Sequence, residues 1–462
     1  MQADPWAGSK IRRFRTRFRE RRRPTIGIEK YVLDWPANDD RMHAMDDLHP
    51  DLADTSLNWT DRTNTRVPYA VFTDPDIYAL EHKRLFRGPV WNFLALEAEI
   101  PNRGDFKTTF VGEIPVIVNR GSDGAVNAVV NRCAHRGSLV CHDKRGNKRL
   151  FVCAYHNWSY DATGALKGVA FKDGVRGQGG MPKDFDMAAH GLERLRVANF
   201  QGMLFGSFSD DTPDIESYLG PEMSVYAARV FNRPVKIIGQ YSQLLRCNWK
   251  LMMENVRDTY HAAILHLFYN TFGLNRLSME GGIVMDERGW HHVSYSKIAT
   301  DDIKGTDYAT GKIHNMRKGL TLAEPSVATF VPEFADGIST HIQTVFPTFL
   351  IQQIQNCIGV RQLVPRGVDR AELFWTLLGY EDDTEEMAEI RRKQSNMVGP
   401  AGYVSLEDGA VLDFVQRALR EGPDTESVML LGGDGMERET KHRATEGAVR
   451  AYWRAYRNVM GL

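Results

Sequence analysis

Cys133 and His135 are separated by one residue, and Cys153 and His156 by two, with a 17-residue gap between the halves: C-x-H…C-x-x-H. Each half offers one thiolate and one imidazole. That is the donor set of a [2Fe–2S] cluster of the Rieske type, two Cys on one iron and two His on the other. Imidazole in place of two thiolates removes negative charge and raises the potential, so such a site accepts electrons from a low-potential donor. Cys₂His₂ is also a zinc set, but zinc fingers pair Cys with Cys and His with His. Here each half is mixed and follows a strand-like run (Val126–Val130 and Leu150–Val152), which favours the cluster. Cys141 and His142 fall outside the spacing and read as bystanders.

A second constellation lies in Asn248-Trp-Lys-Leu-Met-Met-Glu-Asn-Val-Arg-Asp-Thr-Tyr-His261-Ala-Ala-Ile-Leu-His266, a stretch with helical character. Glu254 and Asp258 are four apart and Asp258 and His261 three apart, so in one helix they would share a face. His261 and His266 are five apart, roughly 140° around an ideal helix. Both reach one metal only if the helix bulges or ends between them. Two His and a carboxylate leaving open positions make the facial triad of non-haem Fe(II) oxygenases. H-x₄-H alone is weak; downstream of an electron-accepting cluster it gains weight, because the two sites form a source and a consumer of electrons.

These residues need a scaffold, and 462 residues allow two or three domains. Residues 1–60 are polar and read as an extension. Within it Lys10–Arg23 carries nine Lys or Arg against the single Glu20, a solvated or subunit-contacting arm in preference to a nucleic-acid or membrane contact. No apolar h-region follows it. Residues 73–87 predict a helix, with Thr73 or Asp74 as N-cap and Pro75 in its first turn; it lies in the segment 61–89. Residues 90–210 alternate in short strands with Gly, Asp and Asn turns, an all-β domain for the cluster. Residues 211–462 are mixed: a strand over 234–248, a helical stretch over 249–268, adjacent strands over 341–380, and helices over 383–396, 407–420 and 445–459. The net charge of −1 does not suggest nucleic-acid binding. Five Cys, two of them in the cluster motif, make no disulfide framework and fit a cytoplasmic setting. No apolar run approaches the length of a membrane span.

With both blocks in view, the chain resembles the large (α) subunits of Rieske non-haem iron aromatic-ring-hydroxylating oxygenases from about residue 65 onward. The resemblance rests on Cys133-Ala-His-Arg-Gly137, Cys153-Ala-Tyr-His-Asn-Trp158 and Asn248-Trp-Lys-x₃-Glu-Asn-x₂-Asp-x-Tyr-His-x₄-His. It implies an α+β fold in which a Rieske all-β domain is inserted into a catalytic domain with a large antiparallel sheet flanked by helices. The resemblance, and not the helix itself, also implies that the segment 61–89 is the N-terminal helix of the catalytic domain. It implies Fe(II) bound by His261, His266 and a late carboxylate. Gly399-Pro-Ala-Gly-Tyr-Val-Ser-Leu-Glu-Asp-Gly409 looks like the family's closing segment, with Asp408 at the ligand position and Glu407 as the neighbouring alternative; spacing alone does not choose between them. The tail after it departs from the family pattern. Asp258 matches the bridging acid, which would link His156 of one chain to His261 of its neighbour as an inter-subunit electron-transfer bridge. The resemblance further implies a small β subunit in an α₃β₃ assembly, and a reductase, with or without a ferredoxin, relaying electrons from NAD(P)H. The chain itself has no Gly-rich dinucleotide fingerprint.

Within that family the stretch Arg66-Val-Pro-Tyr…Arg87-Gly-Pro-Val-Trp-Asn-Phe-Leu is similar to oxygenases of aromatic carboxylates such as salicylate, anthranilate, terephthalate and benzoate. The expected reaction is hydroxylation of an aromatic ring with O₂, adding one or both oxygen atoms. A guanidinium grips a carboxylate bidentately; Arg361 and Arg276 are the candidates, each weighed against an ordinary sheet-end or loop position. Two alternatives stand beside this: a Rieske monooxygenase on a non-carboxylate or non-aromatic substrate, and an electron-transfer-only Rieske protein.

Overall fold

The computed structural model describes residues 57, 59–298, 313, 319–422 and 424–462. The basic arm at Lys10–Arg23 lies outside the described residues. The fold is α+β and is built around two antiparallel sheets.

The first sheet has seven strands, in the spatial order Asn92–Leu96, Met203–Ser207, Arg194–Phe200, Val126–Val130, Ile114–Arg120, Asp105–Val111, Arg145–Asn147. A three-stranded sheet of Phe151–Val152, Ser159–Tyr160 and Leu166–Gly168 lies beside it. Between them is a small core of Phe106, Ile117, Val129, Phe151, Trp158 and Tyr160. Both cluster-motif loops issue from this core.

The second sheet has eight strands: Val235–Leu245, Ala371–Tyr380, Cys357–Pro365, Phe349–Ile354, Ile338–Val345, His292–Lys297, Gly281–Met285 and Glu439–Thr440. Its central strands are buried on both faces; every residue of Cys357–Pro365 is buried. One face carries the helices Trp249–Asn255 and Tyr403–Leu419. The amphipathic C-terminal helix Gly447–Met460 buries Tyr452, Trp453 and Tyr456. The expected N-terminal helix runs Pro75–Arg84, with the Asp74 carboxylate accepting from the amides of Asp76 and Ile77. Its buried Glu81 receives Trp249 Nε1, Lys250 Nζ and Tyr456 Oη at 2.5–2.6 Å. Arg66–Pro68 pairs with Glu426–Val428. The two sheets also touch: Gln362 Nε2 donates to the carbonyls of Phe93 and Phe110, and Thr109 Oγ1 donates to Gln362 Oε1. A buried side-chain amide with all these partners is well satisfied and fixes register across the contact.

The stretch expected as one helix over 249–268 is three. Trp249–Asn255 ends, Thr259–Leu265 begins, and Leu267–Thr271 follows a break at His266, whose φ of −77° and ψ of 82° are not helical. Glu254 and Asp258 therefore do not share one helix; Asp258 is the N-cap of the second.

Candidate metal centres and active site

The two cluster loops are built alike. In the first, the amide of Cys133 donates to Ser138 O and that of Gly137 to Cys133 O; in the second, Cys153 N donates to Trp158 O and Asn157 N to Cys153 O. Each loop turns through a positive φ at its end, 73° at Gly137 and 56° at Asn157, a conformation that Gly and Asn adopt at least cost. Cys133 and Cys153 are buried while His135 and His156 keep part of their surface, their rings 4.5 Å apart. His135 stacks on Trp158 at 4.8 Å, and Tyr160 Oη lies 3.3 Å from Cys133 Sγ and accepts from Ala134 N. Both cysteines are free thiols, and the buried Nδ1 of His135 has no hydrogen-bond partner. Two inner thiols and two outer imidazoles with an unspent ring nitrogen fit a [2Fe–2S] cluster.

The second centre forms at the helix break. The fully buried Arg257 donates to the carbonyls of Gly289 and Trp290, fixing the turn. Asp258 then caps the next helix through the amides of Tyr260 and His261, at 2.8 and 3.3 Å. About two turns later the helix stops, and Asn270 Nδ2 donates to Ile264 O to hold the break. The break brings His266 alongside His261, ring centroids 5.5 Å apart. The third member comes from Tyr403–Leu419, where Gly402 precedes the helix because a Cβ there would meet Met397 O at 2.0 Å. That helix is tied down by Gln416 Oε1, which accepts Asn248 N at 2.6 Å, and by Gln243 Nε2 to Ser405 O at 2.9 Å. Asp408 Oδ1 lies 3.4 Å from His261 Nε2 and 3.6 Å from His266 Nε2. One donor atom from each of the three residues falls within 4.8 Å of the others, a set that could hold one divalent iron with positions to spare.

The electrostatics suit a cation. Burial would raise Asp408, but His261, His266 and Arg361 around it hold its carboxyl below the ordinary value. Burial would lower His261, but Asp258 and Asp408 raise it to about 10. Two carboxylates thus already favour positive charge where a metal would sit. Glu407 is not in the triad: its Oε2 lies 2.9 Å from His266 Nδ1, on the far side of the ring. It orients the imidazole from behind, a common arrangement at metal sites. Asp258 Oδ2 stands 3.5 Å from His261 Nδ1, on the far side of that ring but at ion-pair distance, without the hydrogen bond that Glu407 makes.

A pocket opens over the triad, lined among others by Asn255, Tyr269, Ile342, Arg361, Trp375 and Arg443. Arg361 is not at a sheet surface. It is 4% exposed, its Nε has no hydrogen-bond partner, and its guanidinium lies 4.8 Å from the Trp375 ring centroid. Burial pushes it down to about 10. Arg276, the other candidate, is held to its loop by bonds to the carbonyls of Asn270 and Thr271. Sequence reasoning missed Tyr269, Trp375, Arg443 and the handing of Asn255 Nδ2 toward Asp408 Oδ1 at 3.5 Å. Only Asn255 carried a signal, inside the Glu254-Asn255 pair of the long motif.

Comparison with known proteins finds relatives for both parts of the chain. Residues 225–462 match the ring hydroxylating alpha subunit (catalytic domain) family, and residues 90–177 match the Rieske [2Fe-2S] domain. The chain is 49% identical to the terephthalate 1,2-dioxygenase terminal oxygenase component subunit alpha 2 of a Comamonas species, over 89% of this chain and 99% of that one. It is 44% identical to the anthranilate 1,2-dioxygenase large subunit of Burkholderia cepacia, over 86% and 94%. It is 39% identical to the large oxygenase component of a Ralstonia salicylate 5-hydroxylase, over 87% and 96%. The solved structure of a Rhodococcus naphthalene 1,2-dioxygenase bound to indole shares the fold, with a TM-score of 0.71 at 23% identity over 86% of this chain and 94% of that one.

Proposed function

Because the chain belongs to the α subunits of Rieske ring-hydroxylating oxygenases, we propose that it hydroxylates the ring of an aromatic carboxylate. The observation that carries the substrate class is Arg361, a buried cation without a partner at its Nε in the pocket that holds His261, His266 and Asp408. A guanidinium stripped of water seeks an anion, and a carboxylate satisfies it with two charge-assisted bonds. The relatives named for terephthalate, anthranilate and salicylate support the same class.

In this reading Cys133, His135, Cys153 and His156 hold the [2Fe–2S] cluster, and His261, His266 and Asp408 hold Fe(II). When bound, the cluster supplies electrons singly and the iron supplies the centre at which O₂ is reduced. The protein's own work is positional. Glu407 and Asp258 each present a carboxylate to the far side of one imidazole. Arg361 sets the carboxylate end of the substrate, Trp375 fixes the guanidinium plane, and Ile342, Ile354, Val398 and Val404 give the ring an apolar seat that excludes water. Asp258, 22% exposed at its side chain, is the bridge toward the cluster of a neighbouring α subunit. The working assembly is α₃β₃ with a small β subunit, supplied from NAD(P)H by a reductase. The setting is cytoplasmic, in keeping with five free cysteines. No described helix is long and apolar enough to cross a membrane.

The test is a single turnover. The purified, chemically reduced oxygenase is given ¹⁸O₂ and, separately, terephthalate, anthranilate, salicylate, benzoate and neutral arenes, and products are read by mass spectrometry. Labelled product from a carboxylate is expected. Product from neutral arenes alone refutes the carboxylate reading.

A further inference from the structure

A second cavity of about 140 Å³ lies behind the triad, lined by Leu251, Glu254, Asn255, Asp258, Leu412 and Glu446 among others. Asn255 and Asp258 also line the substrate pocket, so the two spaces share a wall. The volume is several times a water molecule's share of the liquid, and the lining is polar enough to keep water ordered. Glu254 is packed round by protein, receives Trp453 Nε1 at 3.0 Å on Oε2, and keeps part of its surface open to the cavity. Glu446, partly exposed, anchors the far side by accepting Leu431 N at 2.8 Å. In the shared wall, Asn255 is 9% exposed; its buried Oδ1 has no partner, while its Nδ2 points toward Asp408.

Ring hydroxylation consumes protons. Adding both atoms of O₂ to a ring breaks the O–O bond, forms two C–O bonds and takes up two electrons and two protons. Adding one atom forms one C–O bond and one water, with the same count. The electrons come from the reductase; the protons must come from water by a route that does not open the substrate pocket to bulk solvent.

We propose that this cavity is that route: Glu446 exchanges protons with the exterior, Glu254 stores them, and water held at Asn255 passes them across the shared wall. Burial, with the negative charges of Asp258 and Glu446, pushes the Glu254 carboxyl up to about 8, so it carries its proton at neutral pH. The other titratable or charged groups around it are Tyr452 on the C-terminal helix and Arg450, which offsets Glu446. The proposal rests on the oxygenase reading.

Two readouts test it in the assembled enzyme carrying cluster and iron. Infrared difference spectra should show a protonated carboxylic C=O band at pH 7 that shifts in D₂O, titrates near pH 8 and is missing in Glu254→Gln, which can still accept from Trp453. Single-turnover product formation in Glu254→Gln should fall at least tenfold, lose the wild-type decline above pH 8 and show a larger solvent deuterium isotope effect, with iron content unchanged. Glu446→Gln, at the accessible mouth, should slow turnover in the same direction and covers the case in which Glu254→Gln does not fold. An absent Glu254 band, or both variants within twofold of wild type across the pH range, overturns the proposal. A wild type that hydroxylates no aromatic carboxylate but retains the Glu254 band refutes the substrate reading instead.

Discussion

Replacing Arg361 by Met should separate what this side chain does for stability from what it does for substrate. Its guanidinium is 4% exposed and is pushed by burial from an ordinary 12.5 to about 10. That difference corresponds to about 3 kcal/mol of unfavourable enclosure in the substrate-free protein. Methionine has a similar reach, can still lie against Trp375 and needs no partner. The variant should therefore be as stable as wild type or more so, by up to about 3 kcal/mol, as apolar replacement of enclosed charge often is. Substrate should tell the opposite story. A charge-assisted bond to carboxylate contributes about 1.5–3 kcal/mol, so kcat/KM for the carboxylate substrate should drop about 10- to 150-fold. The methyl ester of that substrate should lose far less. Thermal melts and steady-state O₂ uptake on both compounds make the comparison. A Met variant with kcat/KM for the acid within threefold of wild type would refute the reasoning, as would equal losses for acid and ester.

Other outcomes follow from the same geometry. Glu407→Gln should leave the fold intact but weaken iron binding about 10- to 100-fold, measured by competition with a chelator; an unchanged affinity would show that the 2.9 Å contact to His266 is idle. Asp258→Asn should leave the cluster reducible but slow its substrate-dependent reoxidation, read by stopped-flow absorbance; assemblies mixing Asp258→Asn chains with His156→Ala chains should regain part of the activity if electrons cross between subunits. Acid should destabilise the protein through buried histidines. Burial pushes His341 down to about 3, and His291 and His292 well below their ordinary value. The unfolded chain takes up these protons from about pH 6.5 downward while the folded one refuses them. The stability they confer is full above pH 6.5 and is lost as pH falls toward 3, by up to about 1.4 kcal/mol per pH unit for each. Urea unfolding at several pH values should show that slope, and His341→Gln should flatten it.

How much of this could be read from residues alone differs from site to site. The cluster donors were legible because both halves sit on short loops, where sequence spacing is spatial spacing. His261 and His266 were legible as a pair, with the condition that the helix bulge or end between them; it ends, at a residue no helix rule marks. The choice of Asp408 over Glu407 was not legible, since adjacent residues on a helix diverge by roughly 100° and only the packing of Tyr403–Leu419 decides which faces inward. The same packing assigns Glu407 its own task. Arg361 could be named but not weighed: in a strand of the eight-stranded sheet, burial depends on what covers that face, and the cover comes from helical residues as distant in sequence as Asn255 and as near as Val398 and Val404. Spacing put Asp258 on one helix face with Glu254 and His261, and it caps the second helix instead, which brings its carboxylate to His261 by local geometry. Arg443 reaches the pocket from a loop with no periodic pattern to flag it.

The strands that open and close the seven-stranded sheet's excursion, Asn92–Leu96 and Met203–Ser207, are hydrogen-bonded neighbours, with Leu96 opposite Met203 and Asn92 opposite Gly206. The chain leaves and returns at nearly one point. A segment whose two ends meet can be lengthened, retuned or exchanged as a cassette without rethreading its host, because the host sees only the spacing of those ends. The donor that feeds the chemistry and the pocket that chooses the substrate are thus joined along one seam, where Gln362 clasps the two sheets, Phe349 packs on Phe93 and Phe205, and Gln240 donates to Glu99, and change is freest away from it.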